Sequence, residues 1–323
     1  MADNNMNTAI MKKVLRSNIF MAGILSIALL VAGHFISPGF ASLSNIMTLM
    51  IIAAFLGIIT LAQTIVMITD SGGIDLSVGS ILQYAMVVIA QMCSKGDHML
   101  VPSIIFALAT CTLFGLANGL GTVLLKIPPL IMTLSMGSVV IGFTLLFVGG
   151  FPDGMAARSL IKFVYGETLG LPNMVLTWIG IIAAVVFVMA KTKVGRIMYG
   201  VGANRLTAEM SGVNTLKVRI LAYTLAGLVS GVSGTFLLGY MAAPNNLETG
   251  AGYVMPSIAA AVVGGVSLSG GKGNYGGAAL GVIFLTILEA LLMTIQLGEP
   301  VRKIIYGGVV IGILVSYVIR NKK

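Results

Sequence analysis

Charge and metal-binding side chains are scarce in this sequence. Only 9% of its 323 residues are charged, with 10 acidic residues, 2 histidines, 2 cysteines and 1 tryptophan. An average soluble domain is about 25% charged, so this chain lacks the polar groups to clothe such a surface. Cys93 and Cys111 lie beside or inside apolar runs, with neither a CxxC spacing nor nearby histidines, and read as packing residues. The apolar runs contain no Ser/His, Cys/His, paired-acid or HExxH arrangement, which removes the usual basis for intramembrane catalysis.

Apolar residues are what the chain has: 57% of positions, with a mean hydropathy of +1.03. They fall in long runs, not at the spacing of amphipathic faces. A bilayer core of ~30 Å needs about 20 apolar residues per helix. By that measure the runs are 18–36, 46–69, 77–93, 101–125, 130–149, 173–190, 220–241, 253–268, 276–296 and 304–319. The expected fold is an all-α polytopic membrane protein of about ten transmembrane or re-entrant helices with an internal repeat. The 253–268 run is the short one and reads as spanning or re-entrant. Residues 18–319 form one membrane domain, between tails at 1–17 and 320–323. The 41 glycines and 20 methionines suit close helix packing in lipid.

A net charge of +9 in a soluble protein would point to nucleic acid, but here the basic residues cluster at the ends of runs. With the N-terminus in the cytoplasm, Lys95, Arg158, Lys162, Arg302 and Lys303 fall outside, and the other 14 of 19 basic residues inside. This asymmetry places both termini in the cytoplasm and makes the charge topological. The first run follows Lys12, Lys13 and Arg16 as a signal sequence would, but it is too long and lacks an A-x-A site, so it reads as an uncleaved anchor.

Two glycine-rich stretches interrupt the runs. Gly72-Gly73-Ile74-Asp75-Leu76-Ser77-Val78-Gly79 and Gly264-Gly265-Val266-Ser267-Leu268-Ser269-Gly270-Gly271 agree at five of eight positions. Matched breaks in two halves are a transporter pattern, parallel or inverted depending on one re-entrant segment. In the first, Gly72 and Gly73 can leave helical geometry and Asp75 can cap the next helix. Ser71, Gly72, Gly73, Asp75 and Ser77, with Gly264, Gly265 and Ser267, are candidates to line a solute path, since their oxygens and amides suit a hydroxyl-rich molecule. A tight turn with an ordinary cap is the alternative. Asp75 and Glu289 are the acids expected at membrane depth, where an ionised residue costs ~2.5–3.5 kcal/mol. Glu289 is read as lining the path, pairing with a neighbouring helix, or sitting near the outer surface. Gln63 and Asn118 read as interhelical hydrogen-bonding residues. Asp75 and Glu289 also keep open an ion-coupled secondary transporter.

The stretch Ser267 to Gly273 imitates a phosphate loop, but the required earlier glycine is Val266 and the required Ser or Thr is Gly273, so no nucleotide site follows. Gly273, Gly277 and Gly281 instead continue as a close-packing face, like Gly115 with Gly119 and Gly227 with Gly231. In the polar loop 191–219, Asn204 and Gly212 bracket a short helix from Arg205 to Ser211 with Leu206 and Met210 on one face. Two turns do not stand alone in water, so that pair docks on its own bundle or on a partner.

SGGIDLSVGS at Ser71, GVGANRLTAEMSGVN at Gly200 and AAAVVGGVSLSGGKG at Ala259, in this order and separation, resemble the ribose-type bacterial ABC transporter permeases. The resemblance implies the permease subunit of an ATP-driven importer in the inner membrane, carrying a monosaccharide or related polyol or furanose. It implies cytoplasmic ABC ATPase subunits, a periplasmic solute-binding protein and a second permease copy or paralogue as partners. ATP and Mg²⁺ would be used by the ATPase, with no cofactor on this chain and no enzyme activity of its own. Gly202, Asn204, Leu206, Ala208, Glu209, Met210, Ser211 and Gly212 match the ATPase-coupling loop. Thr207-Ala208-Glu209 departs from the pair of small residues common there.

Overall fold

A computed structural model describes residues 18–150, 152–244 and 246–321. The N-terminal tail with Lys12, Lys13 and Arg16, and the final two lysines, lie outside the described residues. The helices are α1 (Asn18–Ile36), α2 (Leu43–Thr69), α3 (Val78–Cys93), α4 (Leu100–Val123), α5 (Pro129–Val148), α6 (Arg158–Tyr165) and α7 (Asn173–Lys191). They continue as α8 (Lys193–Ala203), α9 (Arg205–Met210), α10 (Thr215–Met241), α11 (Ala251–Val263), α12 (Tyr275–Thr294) and α13 (Glu299–Asn321). Between α6 and α7 a two-residue antiparallel pair, β1 (Glu167–Thr168) and β2 (Leu171–Pro172), sets Glu167 opposite Pro172.

Among the described residues, six helices are long and apolar enough to cross a membrane: α2, α4 with its preceding 3-10 turn, α5, α7, α10 and α12. Apolar α1, α3 and α11 are shorter. The short α11, expected over 253–268, ends at Val263 and leaves 264–274 irregular. Local chemistry sets the boundaries. Ser42, Thr192, Asn214 and Asn274 each accept from a backbone amide three residues on, closing the starts of α2, α8, α10 and α12. Pro129 sits at the first position of α5, where its missing N–H costs nothing.

The bundle is built around α2, whose apolar span is 89% buried; the corresponding share is 22% for α4 and 28% for α5. The outward faces of α4, α5 and α7 carry large apolar side chains such as Ile105, Leu134, Leu146 and Phe187. Helix α10 lies against α4 through the two expected glycine faces: Gly115 and Gly227 have no room for a Cβ against each other's backbone, and Gly119 meets Ile220 in the same way. Gly281 packs on the Ala260 carbonyl of α11. Gly273, expected on that same face, lies before α12 at φ +104° and belongs to the turn. Cys93 and Cys111 are free and buried.

Candidate functional site

The chain leaves α2 at Asp70 and runs irregularly, through turns at Ser71–Gly72 and Leu76–Ser77, before α3 starts. Irregular backbone inside a bundle has no ladder of its own, so its polar groups need other partners. Side chains supply them. Gln63 on α2 donates its amide to the Asp75 carbonyl and accepts from the Asp75 N–H at 3.3 Å. Thr133 on α5 accepts from Leu76 N–H at 3.0 Å and donates to the Ile74 carbonyl at 3.3 Å or to its own helix at Pro129. Gly72 N–H donates to the Leu268 carbonyl at 3.0 Å, and Gly73 N–H to Asp70 at 2.8 Å.

Asp75 is fully buried. Its Oδ1 accepts from Ser77 N–H at 2.9 Å and from the Ser77 hydroxyl at 2.6 Å. Asn118 on α4 donates to that hydroxyl at 2.8 Å and reaches Asp75 Oδ2 at 3.5 Å. The expectation that Asp75 caps α3 is therefore corrected: the carboxylate closes a turn onto the residue two positions on, because Ser77 sits ahead of the helix and takes its bonds. Asn118 Oδ1 and Thr122 Oγ1, one turn apart on α4, are buried without a hydrogen-bond partner. This is a buried polar cluster with acceptors to spare.

A second irregular stretch precedes α11. Gln83 on α3 donates to the Asn246 carbonyl at 2.9 Å and accepts from Gly250 N–H at 3.0 Å, as Gln63 serves Asp75. At that point the starts of α3 and α11 touch: Gly79 and Gly250 lie against each other's carbonyls with no space for a Cβ. Two helices thus begin at one point within the bundle, each after irregular backbone held by a glutamine.

The two stretches that look alike in sequence meet in space without sharing a conformation. Gly72 N–H bonds to Leu268 and Gly271 N–H to the Ile68 carbonyl at 2.9 Å. Yet Gly72 has φ +75° where its counterpart Gly264 has φ −71°, and Gly265 has φ +94° while Gly73 is not in the left-handed region. Of the candidate path residues, Gly73, Asp75 and Ser77 are buried together, and Ser71 and Gly72 lie exposed beside Leu268. Gly264 packs on α12, and Ser267 is spent on its own turn, its Oγ accepting from Ser269 N–H at 3.1 Å. Glu289 is not with them. It is exposed, 14 residues into α12 and about 21 Å along its axis from the second break.

The short helix α9 is capped as expected, with Asn204 Oδ1 accepting from Thr207 N–H at 3.0 Å and Gly212 at φ +80°. Leu206 is 68% exposed and Met210 83%, so docking on the chain's own bundle is ruled out for both. Ala208 faces inward. Arg205 and Thr215 both donate to Glu209 Oε1, at 2.9 and 2.6 Å, and with the Thr215 bond first they hold its carboxyl below the usual range. A groove of about 580 Å³ beside α9 is lined by Arg196, Gly200, Asn204, Thr207 and Ser211. Gly202, at the end of α8, lies on the Ile68 carbonyl with no room for a Cβ, and Gly271 on Ala203. The α8–α9 segment and both breaks therefore converge at one end of the bundle.

One further element at this end was missed in the reading of the sequence: Asp70 and Arg219 form a buried ion pair, Nε to Oδ1 at 2.9 Å. An acid at a helix C-terminus and a base near a helix N-terminus, each opposed by its own helix dipole, is the signal that would have found it.

Residues 42–314 match the family model described as branched-chain amino acid transport system / permease component. A probable ABC transporter permease of Escherichia coli (strain K12) is 29% identical over 89% of this chain and 85% of its own length. The ribose import permease of Bacillus subtilis (strain 168) is 32% identical over 89% of this chain and 88% of its own. The autoinducer 2 import system permease of Enterobacter sp. (strain 638) is 31% identical over 94% and 88%. No solved structure matches the chain significantly.

Proposed function

Because the chain belongs to the ribose-type family of ABC transporter permeases, we propose that it forms the inner-membrane pathway of an ATP-driven importer for a monosaccharide or a related polyol or furanose. The observation that carries this reading is α9. A two-turn helix holding Leu206 and Met210 into solvent, rigidly capped at both ends, is a surface prepared for another protein. We assign that protein as a cytoplasmic ABC ATPase, which uses ATP and Mg²⁺ in place of any nucleotide site on this chain. A periplasmic binding protein and a second permease complete the importer, with the apolar faces of α4, α5 and α7 turned to lipid or to that permease. Both termini and α9 then lie in the cytoplasm, as the basic residues require.

The pathway is assigned to the point where α3 and α11 begin. Backbone near Gly79 and Gly250 and the oxygens around Asp75 and Asn118 can exchange hydrogen bonds with a polyhydroxylated solute. The experiment is uptake into vesicles containing the chain, its ATPase and its binding protein. Uptake should require hydrolysable ATP. Uptake sustained by a proton or sodium gradient without ATP would overturn the assignment in favour of an ion-coupled carrier.

A further inference from the structure

Asp70 and Arg219 each sit where their own helix disfavours them. Asp70 follows the last residue of α2, at the negative end of its dipole, and Arg219 is in the second turn of α10, near the positive end. Neither charge serves its helix; they serve each other. Arg219 Nε donates to Asp70 Oδ1 and Nη2 to Oδ2, both at 2.9 Å, and the Tyr223 hydroxyl adds a bond to Oδ2 at 3.2 Å. The side chains are only 12% and 7% exposed, so losing one would strand the other as a buried unpaired charge.

Each partner is tied to a different part of the candidate site. On the α10 side, Thr215 donates to Glu209 of α9, Val213 N–H bonds to Ala208, and Asn214 caps α10, so α9 and the start of α10 form one short unit. On the α2 side, the Asp70 carbonyl holds Gly73 N–H, and five residues on lies the Asp75 turn. Elsewhere α2, α8 and α10 meet by apolar packing around Ile68, Met198 and Ala222 and by Gly202 on the Ile68 carbonyl. Such packing is non-directional, whereas a bidentate ion pair also fixes orientation.

We propose that Asp70 and Arg219 are positioning residues that carry displacement of α9 into the Ser71–Ser77 break. The proposal rests on the reading of α9 as the ATPase dock. A push on α9 travels through Gly202 and Ile68; a pull travels through the Arg219–Asp70 fork. Without the fork, α9 can move away while the break stays where Gln63 and Thr133 hold it.

The test uses the full permease complex with its ATPase. Ser71 is exposed and both native cysteines are buried, so Ser71→Cys supplies the reactive thiol. Its labelling rate by a water-soluble maleimide is compared without nucleotide and after trapping with ATP and vanadate. The rate should change at least three-fold in the Ser71→Cys parent. Adding Arg219→Ala or Asp70→Ala should abolish that change while the ATPase still co-purifies, and the reversed pair Asp70→Arg with Arg219→Asp should restore part of it. A parental change in either alanine variant, or no change in the parent, overturns the proposal. If the alanine variants do not insert, Asp70→Asn and Arg219→Lys replace them; at least half of the change should be lost, and full retention in both is equally fatal. Failure of the ATPase to co-purify with the parent instead removes the assignment of α9, and is scored separately from the labelling.

Discussion

The break between α2 and α3 and the short helix α9 are opposites. In the break, polar groups that would be at home in water are enclosed and bonded one by one to Gln63, Thr133, Asn118 and Ser77. On α9, apolar groups that would be at home in a core are held in water. Both arrangements are costly, in opposite ways, and both depend on short, well-bonded backbone. The difference separates a segment finished within its own chain from one that another chain must finish. The inward cluster reads as machinery and the outward pair as an interface.

The largest effect expected from that contrast is at the interface. Replacing Leu206 and Met210 together by Asp should weaken ATPase binding at least 100-fold, since buried anchors of an interface are typically worth 2 kcal/mol or more each. The isolated permease should keep its stability to about 0.5 kcal/mol, because neither side chain contributes to its core. Co-purification and thermal unfolding of the double variant read the two quantities. Intact binding would show that the exposed pair is idle.

Asp75→Ala should do the reverse. It strands the buried Ser77 N–H and the Ser77 hydroxyl without their acceptor, at about 1–3 kcal/mol of stability, and should lower ATP-driven uptake far more than ATPase binding. Normal uptake by the purified variant would demote the cluster to a structural turn. Thr133→Val should be milder, about 1 kcal/mol, since of the buried backbone donors it strands Leu76 N–H alone, gives up only a longer bond to the Ile74 carbonyl and keeps the side-chain shape. A thermal shift equal to that of Asp75→Ala would mean that the two sites melt as one unit.

The smallest effect concerns pH. Glu209 is held below its ordinary value of 4.5 by Thr215 and Arg205, so its stabilisation is complete above that value and is lost as pH falls through the depressed one. The gap in melting temperature between the parent and Glu209→Gln should therefore be constant near neutrality and close in acid. A gap independent of pH would show that the carboxylate's charge plays no part.

How much of this was legible in sequence follows the range of the interactions. The glycine faces on α4 and α10 and the caps of α9 rest on residues a few positions apart, and they appear where expected; of the apolar runs, six form helices among the described residues that are long and apolar enough to cross a membrane, and the one at 253–268 stops at Val263. The position of the first break was legible from Gly72 and Gly73. Its architecture was not, because the partners of Asp75 and Leu76 come from 12, 43 and 57 residues away. Asp75 misled for a local reason: any acid before a helix looks like a cap, and Ser77 intercepts it. Gln63 and Asn118 were recognised as hydrogen-bonding residues, but nothing nearby showed that both serve the break. Arg219 was hidden by the very regularity that reveals topology, since it counts as one more basic residue at the end of a run.

The Asp70–Arg219 pair has a consequence in time. Its partners are 149 residues apart, and at a synthesis rate of about 5–20 residues per second the acid emerges roughly 7–30 s before the base. For that interval α2 ends in a carboxylate with no counter-charge, and the segment to Ser77 lacks the anchor that Leu268 will give it still later. The innermost part of the finished protein is thus made early and locked late, and a chain stopped short of α10 carries an unlocked break.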